Sequence, residues 1–259
     1  MTRLTSLATD LAVATGFLTR YPIPAEMQTA APDGARAAWA FPIAAVLATL
    51  LPALVLVALL ALGAGSLLAA LIAIGVSMLV TGALHEDGLA DSFDGLFGGK
   101  DRAAALEIMK DSRTGVYGTT ALTLSILLKA VALATLVAEG SLNAALLLIA
   151  AAAAGRAAMV CQWSSLSSAR TDGVAATLGR PARKTALCAV LGGAVIVFLV
   201  AGFTASAWPS LLATCTAAIA ALGFSLFVSR RLGGYTGDTL GATVQISETA
   251  FLVTLAICV

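Results

Sequence analysis

The chain is built from long uncharged stretches separated by short charged ones. Ala37 to Leu84 is 48 residues without a charge, Gly118 to Trp163 carries only Lys129, Glu139 and Arg156, and Ala186 to Ser229 is another 44 uncharged residues. A helix needs roughly 20 mostly apolar residues to span a bilayer. Each stretch therefore holds two spans, broken near Gly63-Ala64-Gly65-Ser66, Glu139-Gly140-Ser141 and Trp208-Pro209, and a last span runs from about Gly241 to Val259. Near the N-terminus, Leu4, Leu7, Leu11, Ala14 and Leu18 fall at three-and-four spacing around Asp10. That pattern predicts an interfacial amphipathic helix instead of a cleaved signal, and the prolines of "YPIPAEM" end it. The expected fold class is all-α: a polytopic integral membrane helical bundle of about seven transmembrane helices plus this N-terminal helix, one domain over residues 1–259.

Composition agrees, since 59% hydrophobic and 11% charged residues lie outside the range of soluble domains, where about a quarter of residues are charged. A net charge of +1 gives no basic surplus for nucleic acid, so the expected surroundings are the lipid bilayer and small-molecule substrates. With seven spans, 13 of the 15 Lys and Arg fall on one side, which the positive-inside rule makes cytoplasmic. The loops of the other side carry neither. Cys161, Cys188, Cys215 and Cys258 lack paired spacing and are expected to be small core residues. Trp39, Trp163 and Trp208 fall at span ends, where indole rings prefer the headgroup layer.

Against this background "HEDGLADSFDG", His85 to Gly95, gathers four carboxylates in eleven residues. Asp87, Asp91 and Asp94 share one face of a helix, and like charges at a bilayer surface call for a cation between them. A hard divalent ion such as Mg²⁺ takes oxygen ligands and completes its shell with phosphate oxygens. Gly88 and Gly95 would let a phosphate approach the backbone. His85 points away from that face and is expected to be structural, while Glu86 is either a supporting group or solvated. In "LEIMKDSRTGVYG", Leu106 to Gly118, Lys110 and Arg113 suit phosphate oxygens, with Gly115 and Gly118 flanking Tyr117. "GGYTGDTLGATVQISE" puts Asp238, Gln245 and Glu248 on one face. Glu248, Lys129 and Arg156 are ionisable groups within spans and mark a polar cavity, with Lys129 and Glu248 a candidate pair.

"HEDGLADSFDGLFGG", "EIMKDSRTGVYG" and "GGYTGDTLGA" resemble the three signatures of the cobalamin synthase family, the adenosylcobinamide-GDP ribazoletransferases, and "FLTRYPIP" resembles that family's opening. "QWSSLSSARTDGVAATLG" matches only by position, by Arg170 and by its closing glycine. The resemblance implies a Mg²⁺-using enzyme of the bacterial inner membrane, its site facing the cytoplasm. It would join adenosylcobinamide-GDP to α-ribazole or its 5′-phosphate and release GMP. It further implies Asp87, Asp91 and Asp94 as metal ligands, with Asp91, Asp94, Asp238, Lys110 and Arg113 catalytic. Arg156, Lys129, Glu248, Gly95 and Gly115 are the candidate substrate-binding residues. Homo-oligomerisation, or association with other cobamide-assembly enzymes, stays open. Other membrane diphosphate transferases of the CDP-alcohol or prenyl type, and an ion or phosphate transporter, are the alternative readings.

Overall fold

The computed structural model describes residues 3–24, 27, 34–170, 178–204 and 207–259. Helix α1 (Arg3–Leu18) is followed by a short α2 (Gly34–Ala37), which leads through a 3-10 turn into α3 (Phe41–Ala61). Then come α4 (Ser66–Thr81), α5 (Leu84–Gly98), α6 (Arg102–Ile108), α7 (Val116–Leu136), α8 (Ser141–Ser165), α9 (Arg183–Thr204), α10 (Ala207–Leu232) and α11 (Gly237–Ile257). Among the described residues the only strand-like pairing is a bridge between Ser168 and Tyr235. Among the described residues, six helices are long and apolar enough to cross a membrane, and the apolar α4 is joined to α5 in a sharply bent pair, so the expected multi-pass bundle is observed.

The packing follows from which residues are small. Helix α8 runs through the middle of the bundle, and its buried positions include Ala144, Ala145, Ala150, Ala151, Ala152, Ala153, Gly155 and Ala157. Such positions let neighbouring backbones approach, which is how helices pack when lipid offers no hydrophobic contrast. Large side chains point outward instead: on α9, Phe198 and Phe203 are about four-fifths exposed. The same rule corrects the cysteine reading, because all four thiols are exposed on the apolar surface.

The break between α4 and α5 sets up everything that follows. Gly82 and Ala83 both take left-handed backbone conformations (φ 64° and 56°), and α5 leaves α4 at 91°. A helix turned through a right angle cannot continue a crossing, so α5 lies across the end of the bundle, outside the spans. It packs on α7 and on the first turns of α11. Gly88 and Gly241 make the second contact close: a β-carbon on Gly88 would stand 2.7 Å from the Asp238 carbonyl oxygen, and one on Gly241 would stand 3.3 Å from the His85 Cα.

At the N-terminus, α1 buries Ala14 and Leu18 and leaves Leu7 and Phe17 outward. Asp10 lies on its protein-facing side, where it accepts from Trp39 Nε1 (3.1 Å) and pairs with Arg36 (2.6 Å). Trp163 does not follow the headgroup expectation. It is only 2% exposed, donating from Nε1 to the Gly179 carbonyl (2.9 Å) and the Tyr235 hydroxyl (3.0 Å). Trp208 is 71% exposed, as an interfacial ring would be.

Candidate active site

The charged end of the bundle carries a cavity of about 300 Å³ between the ends of α1, α3, α5, α8 and α11. One side is apolar, formed by Phe17, Phe41, Met159, Trp163 and Leu240. The other is polar, formed by Asp87, Ser168, Arg170, Thr236 and Asp238. Its rim is set by a capping box at the start of α11. Thr236 Oγ1 accepts from the Thr239 amide (3.2 Å) while Thr239 Oγ1 accepts from the Thr236 amide (2.9 Å), which fixes Asp238 in the first turn. Three arginines hold the neighbouring loops through backbone carbonyls. Arg102 donates to Leu232 and Ala169 (both 2.7 Å), Arg170 to Leu106 (3.0 Å), and Arg231 to Leu96 and Gly99.

The aspartates divide into two roles. Asp94 is buried and its carboxylate accepts from the Gly115 amide (2.6 Å) and the Gly118 amide (2.9 Å), capping the N-terminus of α7. The first amides of a helix lack intrahelical partners and carry partial positive charge, so a buried carboxylate is held there strongly. Asp87, Asp91 and Asp238 make up the other group. Burial first, then the charges of Asp87, Asp238 and Asp94, push the Asp91 carboxyl up to about 7, with Arg170 opposing them. Arg170 Nη1 also stands 3.4 Å from Asp238 Oδ2.

Among the described residues, no three His, Cys, Asp or Glu side chains already stand at the separations of a metal ion's ligands. The expected face of Asp87, Asp91 and Asp94 is therefore not assembled as such, because Asp94 is committed to α7. Asp87, Asp91 and Asp238 do not stand at those separations either, so the fit of a divalent cation rests on their donor chemistry alone. They offer only hard oxygen donors, and an acid whose charge is opposed by burial and then by neighbouring carboxylates is one that a divalent charge would relieve. The donor set suits Mg²⁺.

The remaining expected residues sort by place. Lys110 and Arg113 are exposed on the loop before α7, where Arg113 makes a bidentate pair with Asp111 (Nη2–Oδ2 2.6 Å). The pair holds the Asp111 carboxyl at about 2. Gly115 is the N-cap of α7, and Gly95 receives α6: a β-carbon there would stand 2.7 Å from the Ala105 carbonyl oxygen. Close packing, not an open approach to the backbone, is what Gly88 and Gly95 provide.

Lys129, Arg156 and Glu248 do meet, within the bundle and outside the cavity lining, behind His85, which does line it. Glu248 accepts from Arg156 Nη1 and pairs with Lys129 Nζ at 3.5 Å. Lys129 also donates to Gln245 Oε1 (2.5 Å), and Gln245 Nε2 donates to Glu86 Oε1 (2.9 Å). Arg156 Nη2 lies 3.5 Å from His85 Nδ1. His85 and Glu86 thus face inward and tie α5 to the charges in the spans, so Glu86 is a supporting group and not a solvated one.

The sequence alone does not single out Thr236 or the apolar lining, and it marks Arg170 without a role. Arg170 was visible as a lone cation, but its role depends on residues 106 and 238, far from it in sequence. Residues 171–177 of the same weakly matched segment, and Ala25 and Glu26 of "YPIPAEM", lie outside the described residues.

A family model described as cobalamin-5-phosphate synthase matches residues 10–256. Among curated proteins, the adenosylcobinamide-GDP ribazoletransferase of Rhizobium johnstonii is 44% identical over 257 residues, 98% of each chain. That of Allorhizobium ampelinum is 46% identical over 256 residues, again 98% of each, and that of Rhizobium meliloti is 44% identical over 265 residues, the full length of both. No solved structure matches.

Proposed function

The chain belongs to the cobalamin-5-phosphate synthase family, and from that membership we propose that it is an adenosylcobinamide-GDP ribazoletransferase. In the reaction, the 3′-hydroxyl of α-ribazole, or of its 5′-phosphate, attacks the phosphorus that carries the cobinamide arm. A new P–O bond forms, the pyrophosphate bond breaks, and its electron pair leaves on the phosphate of GMP. The observation that carries this reading is Asp87 and Asp238 lining a cavity together with Arg170, with Asp91 close enough for their charges to act on its carboxyl.

Asp87, Asp91 and Asp238 would hold Mg²⁺, which when bound would neutralise pyrophosphate charge and charge developing on the leaving group. Asp238, fixed by the Thr236 cap and facing the cavity, is the candidate acceptor of the hydroxyl proton. Arg170 supplies a fixed positive charge beside it. Lys110 and Arg113, exposed on the adjacent loop, offset charge on the departing GMP. Asp94 acts through α7 by keeping that loop's end in register with α5. The seven-span reading, which assigns 13 of the 15 Lys and Arg to one side of the membrane, supports a cytoplasmic site in the bacterial inner membrane.

The test is GMP release from detergent-solubilised protein given adenosylcobinamide-GDP, with and without α-ribazole 5′-phosphate and Mg²⁺. Release requiring both substrates, the metal and Asp91 supports the proposal. No release from folded protein would overturn it in favour of another membrane diphosphate transfer.

A further inference from the structure

On the transferase reading above, the cavity has to receive one of two substrates. Both substrates carry a nucleoside, but their bases differ in chemistry. Guanine presents an amide N–H, an amino group, a carbonyl and a ring nitrogen around its edge. The base of α-ribazole is a fused aromatic ring whose outer edge is hydrocarbon.

The apolar part of the lining includes Phe41, Met159, Trp163 and Leu240, all nearly or fully buried and members of one packed cluster. None of these offers a free hydrogen-bonding group, because Trp163 Nε1 is already engaged by Gly179 and Tyr235. The Phe41 and Trp163 ring centroids lie 6.0 Å apart at 41°, and Phe17 stacks on Phe41 at 5.7 Å. Phe41, Met159, Trp163 and Leu240 give the edge of a guanine no partner, and each group of that edge left unsatisfied against them costs about 1–3 kcal/mol; the groups of the lining that could receive one are His85 Nε2, which is buried and unpartnered among the described residues, and the polar side chains beyond. A hydrocarbon-edged ring gains from the same burial and from offset aromatic contact.

The polar side fits the rest of the nucleoside. Thr236, Asp238 and Asp87 stand where a ribose would reach the carboxylates. Among the described residues Arg170 Nε is buried without a hydrogen-bond partner, so a phosphate oxygen, from the nucleoside's own 5′-phosphate or from the donor's pyrophosphate, would complete it.

We propose that this cavity is the acceptor-nucleoside subsite. The apolar base of α-ribazole is held by Phe41, Met159, Trp163 and Leu240, with its ribose turned toward Asp238. The donor's guanine is bound elsewhere.

The experiment uses the full chain in detergent, without donor, in a Trp39→Phe/Trp208→Phe background that leaves Trp163 as the reporter. Titration with α-ribazole and with α-ribazole 5′-phosphate is expected to change Trp163 fluorescence saturably, whereas GMP at the same concentrations leaves it unchanged. A gain in affinity for the phosphorylated form that disappears in Arg170→Gln assigns Arg170's partner to the nucleoside. Equal affinities, with a raised donor KM in that variant, assign it to the pyrophosphate. In turnover, Met159→Ala is expected to raise KM for the ribazole about tenfold while leaving KM for adenosylcobinamide-GDP unchanged. Leu240→Ala serves as a second variant with the same expectation. Quenching by GMP that competes with ribazole, or a raised KM for the donor alone in both wall variants, overturns the proposal and makes this the guanine site. Because fluorescence is read without donor, failure of the transferase reading shows separately, as absent GMP release.

Discussion

Replacing Asp94 by Ala separates a scaffold role from a metal role. The substitution removes the acceptor of two amides at the start of α7, 2.6 and 2.9 Å away. The two are not equivalent. Gly115 is exposed, so water takes over its amide and the loss is the net value of a bond to a charged group, about 1.5–3 kcal/mol. Gly118 is buried, and its amide is left unsatisfied at about 1–3 kcal/mol. Together with the lost charge–dipole attraction, the expected destabilisation is roughly 3–5 kcal/mol. For a chain of this size each kcal/mol moves Tm by about 2–4 °C. A fall of Tm on the order of 10 °C in metal-free detergent, followed by thermal unfolding, is the expected result. Mg²⁺ should still raise the variant's Tm by about as much as it raises that of the unaltered protein. An unchanged metal-free Tm combined with loss of the Mg²⁺-dependent rise would refute the reasoning and return Asp94 to the ligand set.

Asp91→Asn should do the reverse. Its carboxyl titrates near 3.8 when unfolded and near 7 when folded, so ionising it opposes folding. The unaltered protein without metal should lose stability as pH rises from about 4 to 7, then level off. The Asn variant should lack that decline, keep a normal fold and lose the Mg²⁺-dependent rise in Tm. Gly88→Ala drives a methyl group to 2.7 Å from the Asp238 carbonyl oxygen. It should cost about 1–3 kcal/mol and depress GMP release further than its change in Tm accounts for, since it displaces Asp238 from α5. Glu248→Gln leaves Lys129 and Arg156 facing each other without their shared carboxylate. A loss of about 3–5 kcal/mol is expected in thermal unfolding, and a Tm within 2 °C of the unaltered protein would show that the three side chains are not coupled in the bundle.

The linear sequence by itself determined the bundle. Twenty-residue apolar runs cross a bilayer whatever surrounds them, because backbone polar groups in lipid must be satisfied within the same segment. Charge asymmetry is equally local, and so are the helical spacing of Asp87, Asp91 and Asp94 and the pairing of motifs with a known family. What the sequence could not assign was which acid does what. Helical periodicity puts three aspartates on one face, but it says nothing of the α7 amides that claim Asp94. The sequence proposed Lys129 and Glu248 as a pair, which the structure bears out, but not that Arg156 shares the same carboxylate. The aspartate assignments wait on the 91° break at Gly82-Ala83, which lays α5 across the bundle and brings residue 87 to residue 238 and residue 94 to residue 115. Hydrogen bonds and charge interactions act over a few ångströms, so the role of a carboxylate is decided by neighbours that only the folded chain supplies.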